Sequence, residues 1–195
     1  MLGEVLRVLE HSRDGVCVSV AEAGRIWIDP ELRQYRDEIT SPDVFFKVPV
    51  GAAEVVHETA SDGAGAPRPI DELLYRTAYH GADGALLDRC QPYDVIELKY
   101  WPNFTRLPHT RHMITLCSLL SRRPTSLSFA YRMLKIPEAD ALRFCSAVNA
   151  AGYTKVVSSQ PASDAAGPGN PSADLNASGA SGSFWSRLFD RIAGL

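Results

Sequence analysis

The chain has 195 residues, with 20 Lys and Arg against 23 Asp and Glu, and 45% of it is hydrophobic; that excludes a chain too polar to bury a core. Charge is divided unevenly: residues 1–98 hold 9 basic and 18 acidic residues, residues 99–157 hold 9 and 2, and residues 158–195 hold 2 and 3. Regions of opposite sign point to docking on a charged partner, or on the chain itself, rather than to catalysis.

Residues 1–11 place Leu2, Val5, Leu6 and Leu9 at helical spacing. The start, Met1-Leu2-Gly3-Glu4-Val5, has no basic stretch before a long apolar core, so no secretory signal is expected. No run of about 18 apolar residues occurs, so no membrane span is expected. Cys17, Cys90, Cys117 and Cys145 form no CxxC pair and read as buried reduced thiols of a cytoplasmic protein.

After a turn at Ser12-Arg13-Asp14-Gly15, the alternation of Val16, Val18 and Val20, then of Ile26 and Ile28 beyond Gly24, predicts a β-hairpin. Asp29-Pro30 reads as a helix entry, with a short helix to about Ile39. Val44–Val50 reads as a third strand, and residues 52–60 fit either a strand or a short helix. His57 with Glu54 and Glu58 reads as a solvated polar face. Residues 61–69, rich in Gly, Ala and Pro, read as a linker.

A helix is expected from Ile70 to His80, stopped by Gly81, then a loop over 82–94 and a strand from Val95 to Trp101 ended by Pro102. Three helices follow, over 110–122, 127–134 and 138–151. Ser126 or Thr125 is placed to cap the second, and Gly152 to stop the third before a strand at 153–157. Residues 158–183 are rich in Ser, Ala, Gly, Pro, Asn and Asp, and their composition predicts a disordered linker. As a flexible coil it would span roughly 28 Å. The last twelve residues predict an amphipathic helix with Phe184, Trp185, Leu188, Phe189, Ile192 and Leu195 on one face. So short a helix needs a partner for that face: its own domain, a groove on another protein, or a membrane surface. With two Arg offset by one Asp, the membrane ranks last.

The order of three helices and a strand resembles the winged-helix/helix-turn-helix family over residues 109–157. The likeness is carried by Leu119-Leu120-Ser121-Arg122-Arg123-Pro124-Thr125-Ser126-Leu127, Leu134-Lys135-Ile136-Pro137-Glu138 and Val148-Asn149-Ala150-Ala151-Gly152-Tyr153. The N-terminal order of helix, hairpin with Gly24-Arg25-Ile26-Trp27-Ile28, then strand is similar to bacterial PATAN-type regulatory modules. That second resemblance implies a signalling or motility adaptor, in some systems near a small Ras-like GTPase or a pilus, and carries over no site residue.

The basic segment offers Lys99, Arg106, Arg111, Arg122, Arg123, Arg132, Lys135, Arg143 and Lys155 to phosphates or to an acidic protein surface. The third helix, where DNA-binding members of the resembled family read bases, holds only Arg143 and Asn149 as candidate readers. His109, His112 and Cys117 lack the further ligands a metal site needs, and Arg111 between them would repel a cation. No G-x-S-x-G elbow, Walker loop or G-x-G-x-x-G after a strand occurs. Asn103-Phe104-Thr105 and Asn176-Ala177-Ser178 match a glycosylation pattern by chance.

The expectation is therefore an α+β protein: an acidic module over 1–60, a linker over 61–69, a winged-helix-like basic module over 70–157, a disordered linker over 158–183 and an amphipathic helix over 184–195. No catalytic residue, metal or cofactor is assigned. A protein partner is expected on the C-terminal helix and on a basic surface of Arg111, Arg122, Arg123, Arg132, Lys135 and Arg143. The function expected is that of a non-enzymatic bacterial adaptor; the alternative is a DNA-binding transcription regulator.

Overall fold

The computed structural model describes residues 1–49, 51–58, 65–82 and 91–158. The expected linker at 158–183 (beyond Ser158), the C-terminal helix and Cys90 lie outside the described residues. In chain order the elements are α1 (Leu2–His11), β1 (Val16–Val20), β2 (Gly24–Asp29), β3 (Gln34–Ile39), α2 (Pro42–Lys47), β4 (Glu54–Val56) and β5 (Arg68–Pro69). They continue with α3 (Ile70–Gly81), β6 (Val95–Leu98), α4 (Arg111–Leu120), β7 (Thr125–Ser126), α5 (Leu127–Met133), α6 (Glu138–Ala150) and β8 (Thr154–Ser158). The protein is thus α+β, with two antiparallel sheets of order β4-β1-β2-β3-β5 and β7-β6-β8.

The expected hairpin is β1–β2, in register Val16 to Ile28 and Val20 to Gly24. Gly24 is required there: its φ is +125°, and a Cβ would come 2.2 Å from the Glu38 carbonyl oxygen of the next strand. Alternation sends Val16, Val18, Ile26, Ile28 and Tyr35 to one face of the sheet. There they meet Val5 and Val8 of α1, Phe45 and Phe46 of α2, and Ile70, Leu73 and Leu74 of α3.

Two expected elements are corrected. Residues 34–39 form a strand, not the end of a helix. Asp29 caps only a turn, its Oδ1 accepting from the Leu32 N–H at 2.9 Å, and Arg33 at φ +51° reverses the chain. Gln34–Ile39 then pairs along its whole length with β2. Its inward alternation is broken by Asp37, which Arg76 of α3 neutralises at 2.8 Å and Arg68 approaches at 3.7 Å. Residues 42–47 form a helix, not a strand. Adjacent Phe45 and Phe46 are both buried, which a strand with one solvated face does not allow, and Pro42 sits in the first turn. Residues 54–56, left open between strand and helix, pair with β1 as an edge strand. The strand expected to reach Trp101 ends at Leu98; the Lys99 and Tyr100 N–H groups both turn to the Tyr153 carbonyl.

The second core lies among α3, α4, α5 and α6 over the smaller sheet. Met113, Leu116, Cys117, Leu120, Leu127, Ala130, Phe144, Cys145, Ala147 and Val148 are fully buried in it. α3 serves both cores, giving Ile70, Leu73 and Leu74 to the first and Tyr75 to the second. The described residues all fall in one compact unit, residues 1–160. Ser126 caps α5, its hydroxyl accepting from the Phe129 N–H at 3.4 Å. α5 and α6 then end alike. Ile136 N–H bonds to Tyr131 O and Lys135 N–H to Arg132 O; Tyr153 N–H bonds to Val148 O and Gly152 N–H to Asn149 O. Both are Schellman endings, with Lys135 (φ +53°) and Gly152 (φ +73°) at the left-handed position.

Candidate interaction surface

The helical period that builds α5 decides what it shows to solvent. Leu127, Ala130 and Tyr131 face inward. Phe129 and Met133, one turn apart, stand on the opposite side at 54% and 48% exposure, with Arg132 beside them. The α4–α5 connection supplies Arg122 and Arg123 at one end of this stripe, and the Schellman ending supplies Lys135 at the other. All four cations are exposed, and among the described residues none has a carboxylate within ion-pairing distance.

The acidic residues of the segment are already engaged. Glu138 accepts from the Tyr131 hydroxyl at 3.1 Å, and Asp140 lies 3.6 Å from His112 Nδ1. Arg132 rests over the Tyr131 ring at 5.9 Å, which holds its guanidinium at the surface without neutralising it. The result is an exposed apolar pair on a helix whose neighbouring cations have no carboxylate partner among the described residues.

The other expected residues fall apart. Arg111 is exposed at the start of α4, a helix length from Arg122, and its Nε donates to His112 Nε2 at 3.2 Å. Ile114, also exposed, stands between them on α4. Arg143 does not belong to the surface: it is half-buried, its guanidinium lies 5.5 Å over the Tyr79 ring of α3, and its Nε has no partner. α3 packs along α6, and six consecutive described positions of the helix from Phe144 to Asn149 are buried or half-buried. The helix that would read bases therefore has its flank covered by a neighbour.

Phe129 and Met133 are the residues that sequence reasoning passed over. The signal was present: once Leu127, Ala130, Tyr131 and Leu134 are assigned to one stripe, two large apolar side chains remain on the polar side. The histidines do not converge with Cys117. His109 Nδ1 donates to Leu107 O at 3.0 Å before α4 begins, His112 is held by Arg111, and burial pushes the Cys117 thiol up to about 12. Among the described residues no group of three or more His, Cys, Asp or Glu is placed to hold a metal ion, and no helix is long and apolar enough to cross a membrane.

The chain matches no protein-family model, no curated protein and no solved structure at a significant level.

Proposed function

We propose that the protein is a non-enzymatic adaptor that binds an acidic protein surface through the exposed face of α5. The observation that carries this reading is the exposure of Phe129 and Met133 on a face of α5 that also carries exposed Arg132, with exposed Arg122 and Arg123 preceding the helix in the chain and exposed Lys135 following it. Interfaces draw their energy from a few buried aromatic and Arg anchors. Complementary charge speeds and orients the encounter. A solvated face with no partner would keep the arginines and have no use for an exposed phenylalanine on the same helix.

The order α4, β7, α5, α6, β8 supports a winged-helix-like reading of this half. One difference counts against its use on DNA: the central strand between β7 and β8 is β6, which precedes the helices, so no wing hairpin closes the sheet within the described residues. The packing of α3 along α6 counts in the same direction.

The test titrates the full chain against two fluorescent probes across a salt series. One is an acidic amphipathic peptide of alternating Glu and Leu turns, the other a generic 20-base-pair duplex. Peptide binding should fall about tenfold with Phe129→Ala, the loss typical of an interface anchor. Duplex binding that is tight, falls steeply with salt and ignores Phe129→Ala would replace the adaptor with a nucleic-acid binder.

A further inference from the structure

A second site stands apart from the α5 face. A cleft of about 430 Å³ is lined by Asp71 and Glu72 from the first turn of α3, by Tyr100, Trp101 and Asn103 beyond β6, and by Gly152 and Tyr153 at the end of α6. Three chain segments meet there, and none of the lining residues is cationic. We propose that this cleft binds a guanidinium group, held in-plane by the Asp71 and Glu72 carboxylates and stacked against the Trp101 and Tyr100 rings.

Three observations converge on that ligand. Glu72 is 95% buried, yet among the described residues its only ion pair is with Arg106 Nη1 at 3.4 Å and no hydrogen bond is donated to either carboxylate oxygen. A carboxylate with one ion pair and no hydrogen bond among the described residues has acceptor capacity left for a donor in the cleft. Asp71 is held in place from the other side: the Tyr153 hydroxyl donates to its Oδ2 at 2.5 Å, which leaves Oδ1 for a ligand. Burial, then the hydrogen bond to Asp71 and the charge of that carboxylate, raise the Tyr153 hydroxyl above its ordinary range, so it remains a donor at neutral pH. Finally, Tyr100 and Trp101 are 64% and 52% exposed. Two large rings stand in solvent at the mouth of an acidic cleft, which is wasteful unless something flat lies against them.

The chemistry separates guanidinium from its competitors. An anion would meet two carboxylates and no cation among the lining residues. A neutral group could donate a hydrogen bond to Glu72 but would bring no positive charge to the two carboxylates. A guanidinium offers planar N–H donors matched to carboxylates, is weakly hydrated, and stacks on aromatic faces; a lysine ammonium offers a compact charge without the stacking. Arg106, whose side chain is 43% exposed, is a built-in placeholder that an incoming guanidinium would displace from Glu72.

The experiment uses the full chain and heteronuclear NMR with isothermal titration. The probes are N-acetyl-arginine amide and its uncharged isostere N-acetyl-citrulline amide. Saturable binding of the arginine probe is expected, with the largest shift at the Trp101 indole N–H, and no saturation by citrulline. Trp101→Ala and Glu72→Gln should each weaken the arginine probe about tenfold, while Trp101→Phe recovers part of the loss. Trp101 is half-exposed, so its removal should leave the melting temperature in place, and Glu72→Gln preserves side-chain volume. A capped Gly-Arg-Gly peptide binding more tightly than arginine amide would identify a protein ligand; equal affinity would identify a small guanidino compound. Equal binding of citrulline, or arginine binding indifferent to Trp101→Ala, overturns the proposal. Neither result touches the α5 reading, which rests on other residues.

Discussion

Helices α5 and α6 are consecutive, end in the same Schellman hydrogen bonds and share one core, yet they do opposite things with their surfaces. α6 is enclosed by α3, α4 and α5, and Phe144 at its middle is fully buried. α5 buries one stripe and leaves Phe129 in solvent. Local sequence does not mark the contrast, since both helices carry a phenylalanine next to a serine or cysteine and both end in a left-handed residue. The difference is made by α3, a helix more than fifty residues earlier, which covers α6 and leaves α5 uncovered. What can be contacted on this protein is therefore decided by which helix α3 chose.

The largest effect that would break this comparison is on stability. Phe144→Ala should cost about 3–5 kcal/mol, since it removes a buried aromatic ring and leaves a cavity among α3, α4 and α5. Phe129→Ala should stay within about 0.5 kcal/mol, as an exposed substitution does. Urea denaturation of the two variants decides the matter. Equal losses would mean that the exposed face of α5 is held by packing and is not free for a partner.

How much of this was readable beforehand follows the range of the interactions. α4, α5 and α6 were legible because their signals are local: apolar spacing, Ser126 as a cap, Gly152 as a stop. β3 was not, because its inward Asp37 looks solvent-facing until Arg76, thirty-nine residues away, is placed against it at 2.8 Å. α2 was missed because six residues are too few to show a helical period, and Val44-Phe45-Phe46 reads equally as a strand. At the candidate surface, the charges were legible and their neighbours were not. Arg143 counts as surface charge in the sequence and becomes a core-facing group only when Tyr79 of α3 lies beneath it. The guanidinium cleft was invisible for the same reason: Asp71 and Glu72, Tyr100 to Asn103, and Gly152 with Tyr153 come from three separate segments.

A smaller effect sharpens the comparison at the two endings. A residue other than glycine in the left-handed region costs about 1–2 kcal/mol, so Lys135→Gly should raise stability by about 1 kcal/mol. Gly152→Ala should lower it by a similar amount, and by strain alone, because no atom lies within 4 Å of the added Cβ. The lysine at position 135 puts a charge on the α5 face at a conformational cost. Lys135→Gly should therefore weaken binding of the acidic peptide while stabilising the fold. A variant that gains stability and keeps full affinity would remove Lys135 from the surface proposed.

The smallest effect concerns the helix on which the contrast depends. The last turn of α3 is held against α2 by His80, whose ring stacks on Phe46 with centroids 5.3 Å apart and whose Nδ1 donates to Asp43 Oδ1 at 3.0 Å. Burial lowers the His80 pKa below its ordinary 6.5; the bond to Asp43 pulls the other way, and the charges of Arg76 and Lys47 add to the lowering. The folded state therefore prefers the neutral ring, and the unfolded state takes up the proton first as pH falls. The stability from this group is fully present above about pH 6.5 and is lost as pH drops through that value toward the folded one. Melting temperature should decline between pH 7 and 5 more steeply in the native chain than in His80→Phe, which keeps an aromatic stack on Phe46 and cannot titrate. Parallel declines would show that another group sets the acid limit, and that α3 is fixed over α6 by its apolar contacts alone.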